Sequence, residues 1–125
     1  MSADSAEPIT VGPYAPIVVS GDWLICSGQL GVTDGELVAG GVKAELTCAI
    51  ANLERLLAGQ GATLRDVVKT TVFLTDMADF SAMNESYVAA FSGHRPARSA
   101  VAVVGLPLGA HVEIEAWARQ TAATR

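Results

Sequence analysis

At 125 residues the chain has room for one domain with a single core and no space for a second, so no linker is expected. Half of it is apolar and only 17% charged, against a typical quarter, which is more apolar surface than so small a domain can hide; we expect the excess to be buried between subunits of a closed, symmetric homo-oligomer. The net charge of −5, with its few basic residues scattered, argues against a nucleic-acid partner, and two cysteines with no CxxC spacing and no nearby histidine give no support to a zinc site or a disulfide framework.

The first ten residues, Met1 to Thr10, are small, polar and acidic. They lack a basic n-region and an apolar h-region, so they predict a loose leader, neither signal peptide nor membrane anchor. No apolar run is long enough to span a bilayer, and a cytoplasmic protein without membrane partners is expected. Val11-Gly12-Pro13-Tyr14-Ala15-Pro16 is a loop whose two prolines hold Tyr14 at a nearly fixed place. Ile17-Val18-Val19 and Trp23-Leu24-Ile25-Cys26-Ser27 flank Ser20-Gly21-Asp22 and read as a hairpin. Gly28, closing the second strand, predicts a bulge or a close approach of backbone to a neighbouring strand or a ligand. Cys26, inside the apolar strand, reads as core, and Cys48 as a half-buried thiol.

Thr33-Asp34-Gly35-Glu36 carries an Asp-Gly turn signal. From Val42 to Ala58 the apolar residues Val42, Leu46, Ala49, Ile50, Leu53, Leu56 and Leu57 recur at helical spacing, and Gly59 and Gly61 end the helix. Val67 to Leu74 is a strand with apolar residues on both faces, one face for helices and one for a partner subunit or an inner barrel. Asp76 or Asp79 caps a second helix to about Phe91, with Phe80, Met83, Tyr87 and Phe91 as its buried stripe and Asn84 at or near that packed face. A polar residue so placed must find hydrogen-bond partners, in the core or in the wall of a site.

The stretch from Arg95 to Ala118 reads as two strands, Ser99–Val104 and His111–Trp117, around the turn Gly105-Leu106-Pro107-Leu108-Gly109. Glu113 and Glu115 share one face of the second strand, and an antiparallel hairpin would bring Arg98 near one of those carboxylates. A structural ion pair and a functional one are both open on this pattern. His94 and His111 are isolated and read as turn or surface residues, and Gln120 to Arg125 as a frayed tail. Strands, a long helix, a strand, a helix and more strands, without regular βαβ alternation, predict an α+β fold with helices on one face of a mixed sheet.

The residues so assembled resemble the RidA (YjgF) family, also called L-PSP. The likeness runs from Gly12-Pro13-Tyr14 through Ser27-Gly28-Gln29, the strand Val67–Asp76, Met83-Asn84-Glu85 and Arg95-Pro96-Ala97-Arg98-Ser99 to Glu113-Ile114-Glu115-Ala116. It implies a chorismate-mutase-like α+β fold, a homotrimer with sites at its subunit interfaces, and hydrolysis of reactive enamines and imines such as 2-aminoacrylate to the 2-keto acid and ammonia, with no metal or cofactor. By that likeness Arg98 binds the substrate carboxylate, Glu113 positions or activates the water, and Tyr14, Ser27, Gly28, Asn84 and Ala100 line the pocket. A guanidinium suits the first task because its planar fork makes two parallel charge-assisted bonds.

Three departures bear on substrate range. Ala100 stands where many active members carry cysteine, Pro16 replaces a common glutamine, and Val101-Ala102 lacks the usual acidic residue. If only the backbone N–H at position 100 touches the carboxylate, alanine serves as well. Two other functions compete: a trimeric regulator that binds small carboxylates without catalysis, which needs Arg98 but not Glu113, and the ribonuclease or translation-inhibitor activity attached to the L-PSP name, against which the acidic charge and the lack of a basic and histidine cluster both count.

Overall fold

A computed structural model describes residues 12–120. The leader and residues 121–125 lie outside them. Strands β1 (Ile17–Ser20) and β2 (Trp23–Leu30) form the first hairpin, with Gly21 in the left-handed region at its turn. Strands β3 (Val32–Thr33) and β4 (Glu36–Leu37) form a short second one around Asp34 and Gly35, both at positive φ, as a tight two-residue turn requires. Helix α1 (Gly41–Ala58) follows. Of the two glycines beyond it only Gly61 is left-handed, at φ 76°; Gly59 keeps a helical φ and caps back onto Arg55 O.

Strand β5 (Val67–Leu74) leads through a 3₁₀ turn at Met77–Asp79 into helix α2 (Phe80–Phe91). Asp76, through its bond from Ala78 N–H, caps that turn, while the Asp79 side chain caps nothing on α2. Strands β6 (Ala97–Ala102) and β7 (Val112–Arg119) complete a mixed five-stranded sheet in the order β1-β2-β7-β5-β6.

That order overturns the expected hairpin at the end of the chain. β6 runs parallel to β5, Thr70 beside Arg98, and α2 is the crossover between them; β7 passes over to lie antiparallel between β2 and β5. The connection over residues 103–111 is far longer than a tight hairpin allows, and its 3₁₀ turn at Pro107–Gly109 carries the chain past β5.

Both helices cover one face of the sheet. Along β7, Val112, Ile114, Ala116 and Ala118 turn inward onto Leu46, Ile50, Leu53 and Leu57 of α1 and Met83, Tyr87 and Phe91 of α2, while the intervening residues turn to the other face. Each such fully buried aliphatic contributes roughly 1.5–3 kcal/mol. Cys26 is buried in this core, where desolvation pushes its thiol up to about 11, so it is no nucleophile. Phe80, expected in the same stripe, is instead 37% exposed. Gln120, expected to begin a frayed tail, is buried, with its backbone N–H on Asp22 O and its side chain on Gln60 O. His94 is held against Val67 O at 2.7 Å.

Among the described residues, no helix covers the second face. Val18, Ile25 and Trp117 stand in one row across β1, β2 and β7, and Trp23 packs edge-on against Trp117 at 5.9 Å. No helix among the described residues is long and apolar enough to cross a membrane.

Candidate active site

The expected site residues fall into two groups on opposite faces of the sheet. Arg98 shares the register position of Thr70, whose hydroxyl lies on the helix side, 2.7 Å from Tyr87 Oη of α2. From there Arg98 Nη1 donates to Asn84 Oδ1 at 2.7 Å and meets Met83 Sδ at 3.6 Å, while its guanidinium carbon lies 4.9 Å from the Tyr87 ring centre and 5.6 Å from that of Phe80. A cation held near two aromatic rings loses little freedom when it binds, and among the described residues only its Nη1 is engaged in a hydrogen bond. Asn84 thus finds its partner in Arg98. Ala100, beside Val72, follows on the same face. Asn84, Tyr87, Val88, Arg95, Pro96 and Arg98 line a concave space of about 520 Å³.

Glu113 and Glu115 point the other way. They stand beside Phe73 and Thr71 of β5, between the inward-facing Val112, Ile114 and Ala116. No ion pair joins Arg98 to either glutamate within the chain, because a strand and a sheet face separate them. Glu113 is half-buried, and burial first, then the charge of Glu115, raises its carboxyl above the ordinary 4.5.

The carboxylate of Glu113 leans on Gly28. A Cβ at position 28 would sit 2.6 Å from Glu113 Oε2 and 2.8 Å from its carboxyl carbon, at the irregularity in the β2–β7 ladder between Cys26 and Gln29. Both readings of Gly28, bulge and close approach, therefore hold at once. Ser27 anchors the N-terminal loop here: its N–H donates to Pro16 O at 2.9 Å and its hydroxyl to Ala15 O at 2.6 Å. That bond commits the Ser27 proton and holds Tyr14, 44% exposed, close to the anchor.

Substituting Gly28→Ala tests this contact. The position has no left-handed φ and the obstructing atoms end a side chain, so the fold should tolerate the methyl while Glu113 is pushed aside. We expect a melting temperature within a few degrees of wild type and a loss of turnover on the order of tenfold or more. Equal activity would show that the Glu113 contact does not matter to the site.

Arg95 and the ring contacts of Phe80 and Tyr87 with Arg98 were not expected from the sequence. Helical spacing assigned the two aromatics to the core, and only the placement of Asn84 on the same helix hinted that this face looks onto a polar group.

The family model described as Endoribonuclease L-PSP matches residues 4–120. The chain belongs to the RidA (YjgF, L-PSP) family. It is 45% identical over 115 residues to the 2-iminobutanoate/2-iminopropanoate deaminase of Mus musculus, covering 90% of this chain and 85% of that protein, and 42% identical over 115 residues to the Homo sapiens deaminase of the same name, covering 90% and 84%. Among solved structures it is similar to RidA from an Antarctic Psychrobacter, with 40% identity and a TM-score of 0.87 over 92% of this chain and 94% of that one. E. coli TdcF with bound serine matches at 34% identity with a TM-score of 0.87, over 94% and 95%. The RidA likeness therefore extends over both half-sites.

Proposed function

We propose that the protein is a hydrolytic deaminase of small enamines and imines of the 2-aminoacrylate type, releasing a 2-keto acid and ammonia in the cytoplasm. The observation that carries the reading is the half-buried Glu113 carboxyl, raised in pKa and seated over Gly28 on the sheet face opposite the two helices. An acid whose affinity for protons is moved toward neutrality can take one from water and return it.

In this reading Arg98 grips the substrate carboxylate, with Asn84 and the aromatic rings fixing its orientation. The enamine tautomerises to the imine. With the imine protonated, Glu113 orients a water and accepts its proton as the oxygen bonds to C2; the carboxyl returns that proton to nitrogen, and as the C2–N bond breaks and ammonia leaves, the hydroxyl gives its proton to the Glu113 carboxylate and the ketone forms. Attack on an already electrophilic carbon needs little more than this, and general acid–base help supplies about 10²–10⁴-fold. Tyr14, Ser27, Gly28 and Ala100 line the space. The deaminase names of relatives at 42–45% identity support the reaction type.

Since Arg98 and Glu113 diverge within one chain, a substrate that meets both lies between two copies. We place the site at the interfaces of a homotrimer, whose formation would cover the Val18, Ile25 and Trp117 row. Sedimentation at micromolar concentration is expected to give a trimer; a monomer would leave the site without its second wall.

The reaction is tested by generating 2-aminoacrylate in situ with a pyridoxal-phosphate lyase and following its loss. Faster pyruvate formation with the protein than without it is expected, and identical rates reject the deaminase reading.

A further inference from the structure

Among the described residues, the charged side chain buried most deeply lies outside both half-sites. Glu45, in the second turn of α1, is 1% exposed. Its two carboxylate oxygens take separate partners on one residue: the backbone N–H of His111 donates to Oε1 at 2.7 Å, and His111 Nδ1 lies 2.5 Å from Oε2. His111 is the residue immediately before β7, and Glu113 stands two places further on. The His111 carbonyl in turn accepts from Thr75 N–H at 3.2 Å, at the end of β5.

The same carboxylate-bearing residue also touches the strand that carries Gly28. Gly31 follows β2 directly, and a Cβ there would stand 2.5 Å from both Cα and O of Glu45, so no other residue permits the approach. About two turns along α1, Asn52 Nδ2 donates to Leu30 O and Val32 O. The helix therefore grips the end of β2 and the beginning of β7 together. These two strands are the ones that press Glu113 against Gly28, across the irregular part of their ladder, where backbone pairing alone fixes the register least.

We propose that Glu45 and His111 form a clasp that positions Glu113, setting the carboxyl against Gly28 by locking the start of β7 to α1 and β2. This rests on the reading that Glu113 orients the attacking water. Glu45 and His111 are positioning residues; neither touches substrate. A bidentate, charge-assisted grip on a buried carboxylate is well suited to the task, since it fixes both the backbone and the ring of its partner.

The groups facing the His111 ring are Glu45 from α1 and Asp79 from the turn before α2. The hydrogen bond to Glu45 and its charge hold the imidazole above the ordinary 6.5. For a base raised by folding, the stabilisation is fully present below 6.5 and is lost as pH rises through the folded value. The clasp is then tightest below neutrality, and above the folded value it keeps only the neutral Nδ1–H bond and the backbone bond.

Glu45→Gln and His111→Ala test the clasp, with His111→Asn as the conservative variant, because its side-chain N–H can still donate to Glu45. All are compared with wild type at a temperature where circular dichroism shows each folded. In the two disruptive variants kcat for the imine should fall on the order of tenfold with KM within about twofold, and His111→Asn should recover most of it, now without the pH dependence of stability above 6.5. The second readout needs no turnover. The Gly28 amide resonance should titrate with the Glu113 carboxyl in wild type and in His111→Asn, and lose that response in the disruptive variants. If Glu45→Gln fails to fold, His111→Ala decides, since its ring is half exposed. Unchanged kcat, or a Gly28 titration that persists in His111→Ala, overturns the proposal. If wild type shows no deamination at all but the Gly28 response depends on the clasp, the deaminase reading falls and the positioning role stands.

Discussion

Arg98→Lys is expected to damage turnover of a carboxylated imine nearly as much as Arg98→Ala, although lysine keeps the charge. The guanidinium carbon lies 4.9 Å and 5.6 Å from the Tyr87 and Phe80 ring centres and Nη1 bonds Asn84, so that among the described residues the other guanidinium nitrogens are left for a carboxylate. An ammonium is a point charge that cannot stack in the same way or form the two parallel bonds. A hydrogen bond to a charged group is worth roughly 1.5–3 kcal/mol, so each lost bond costs on the order of tenfold to a hundredfold. The loss should shrink for imines that lack a carboxylate. Activity on one substrate of each kind, with melting temperature alongside, decides the matter: a uniform loss on both, with a large drop in stability, rejects carboxylate binding and makes Arg98 a structural partner of α2.

Glu113→Gln is expected to lower turnover on the order of a hundredfold while raising stability at neutral pH, an opposite pairing of effects that a merely structural residue would not give. The amide keeps the shape over Gly28 but accepts no proton. For stability the sign follows from the direction of the shift. Folding raises this carboxyl above 4.5, so the folded state holds the proton more tightly than the unfolded one, and stability declines as pH rises from about 4.5 through the folded value. Above that window the ionised group, half-buried and beside Glu115, is a standing cost that glutamine removes. Thermal melts should show the gain near about pH 8 and little of it near about pH 4. Keto-acid binding should survive. Unchanged turnover would favour the reading in which the trimer binds small carboxylates without acting on them.

Much of the fold was legible because its signals are local. The period of α1, the Asp34-Gly35 turn, the alternation along β7 and the Gly28 irregularity each depend on a few neighbouring residues, and each was located correctly. The pairing of β6 was not legible. Strand propensity does not say which neighbour a strand chooses, and the Gly105–Gly109 stretch looks like a turn whether the chain doubles back or crosses over β5. The error mattered for the site, since the supposed hairpin placed Arg98 and Glu113 side by side within one chain. The residues themselves were identified by family likeness; what the sequence left hidden is that they face apart. Glu45 was hidden for a different reason. A glutamate in the second turn of a helix reads as a solvated charge, and only its place three residues after Val42 and one before Leu46, on the apolar stripe, marked it as buried.

The position of β7 sets the order in which this molecule can acquire its shape. The last strand in the chain is the middle of the sheet, with β2 on one side and β5 on the other. Until it arrives, β2 and β5 each present an unpaired inner edge, and the core has no central strand to collapse on. The pairing with β2 joins Trp23 to Arg119, nearly the whole described length apart, and even the nearest contact with β5, Leu74 to Val112, closes a loop that holds α2 and β6, so long loops must be closed to seat the central strand. Folding should accordingly be slow for the size and close to all-or-none, with no half-built sheet carrying Arg98 alone. Glu113 rides on the strand that completes the sheet, which means that its carboxyl comes to rest on Gly28 in the same event that finishes the fold.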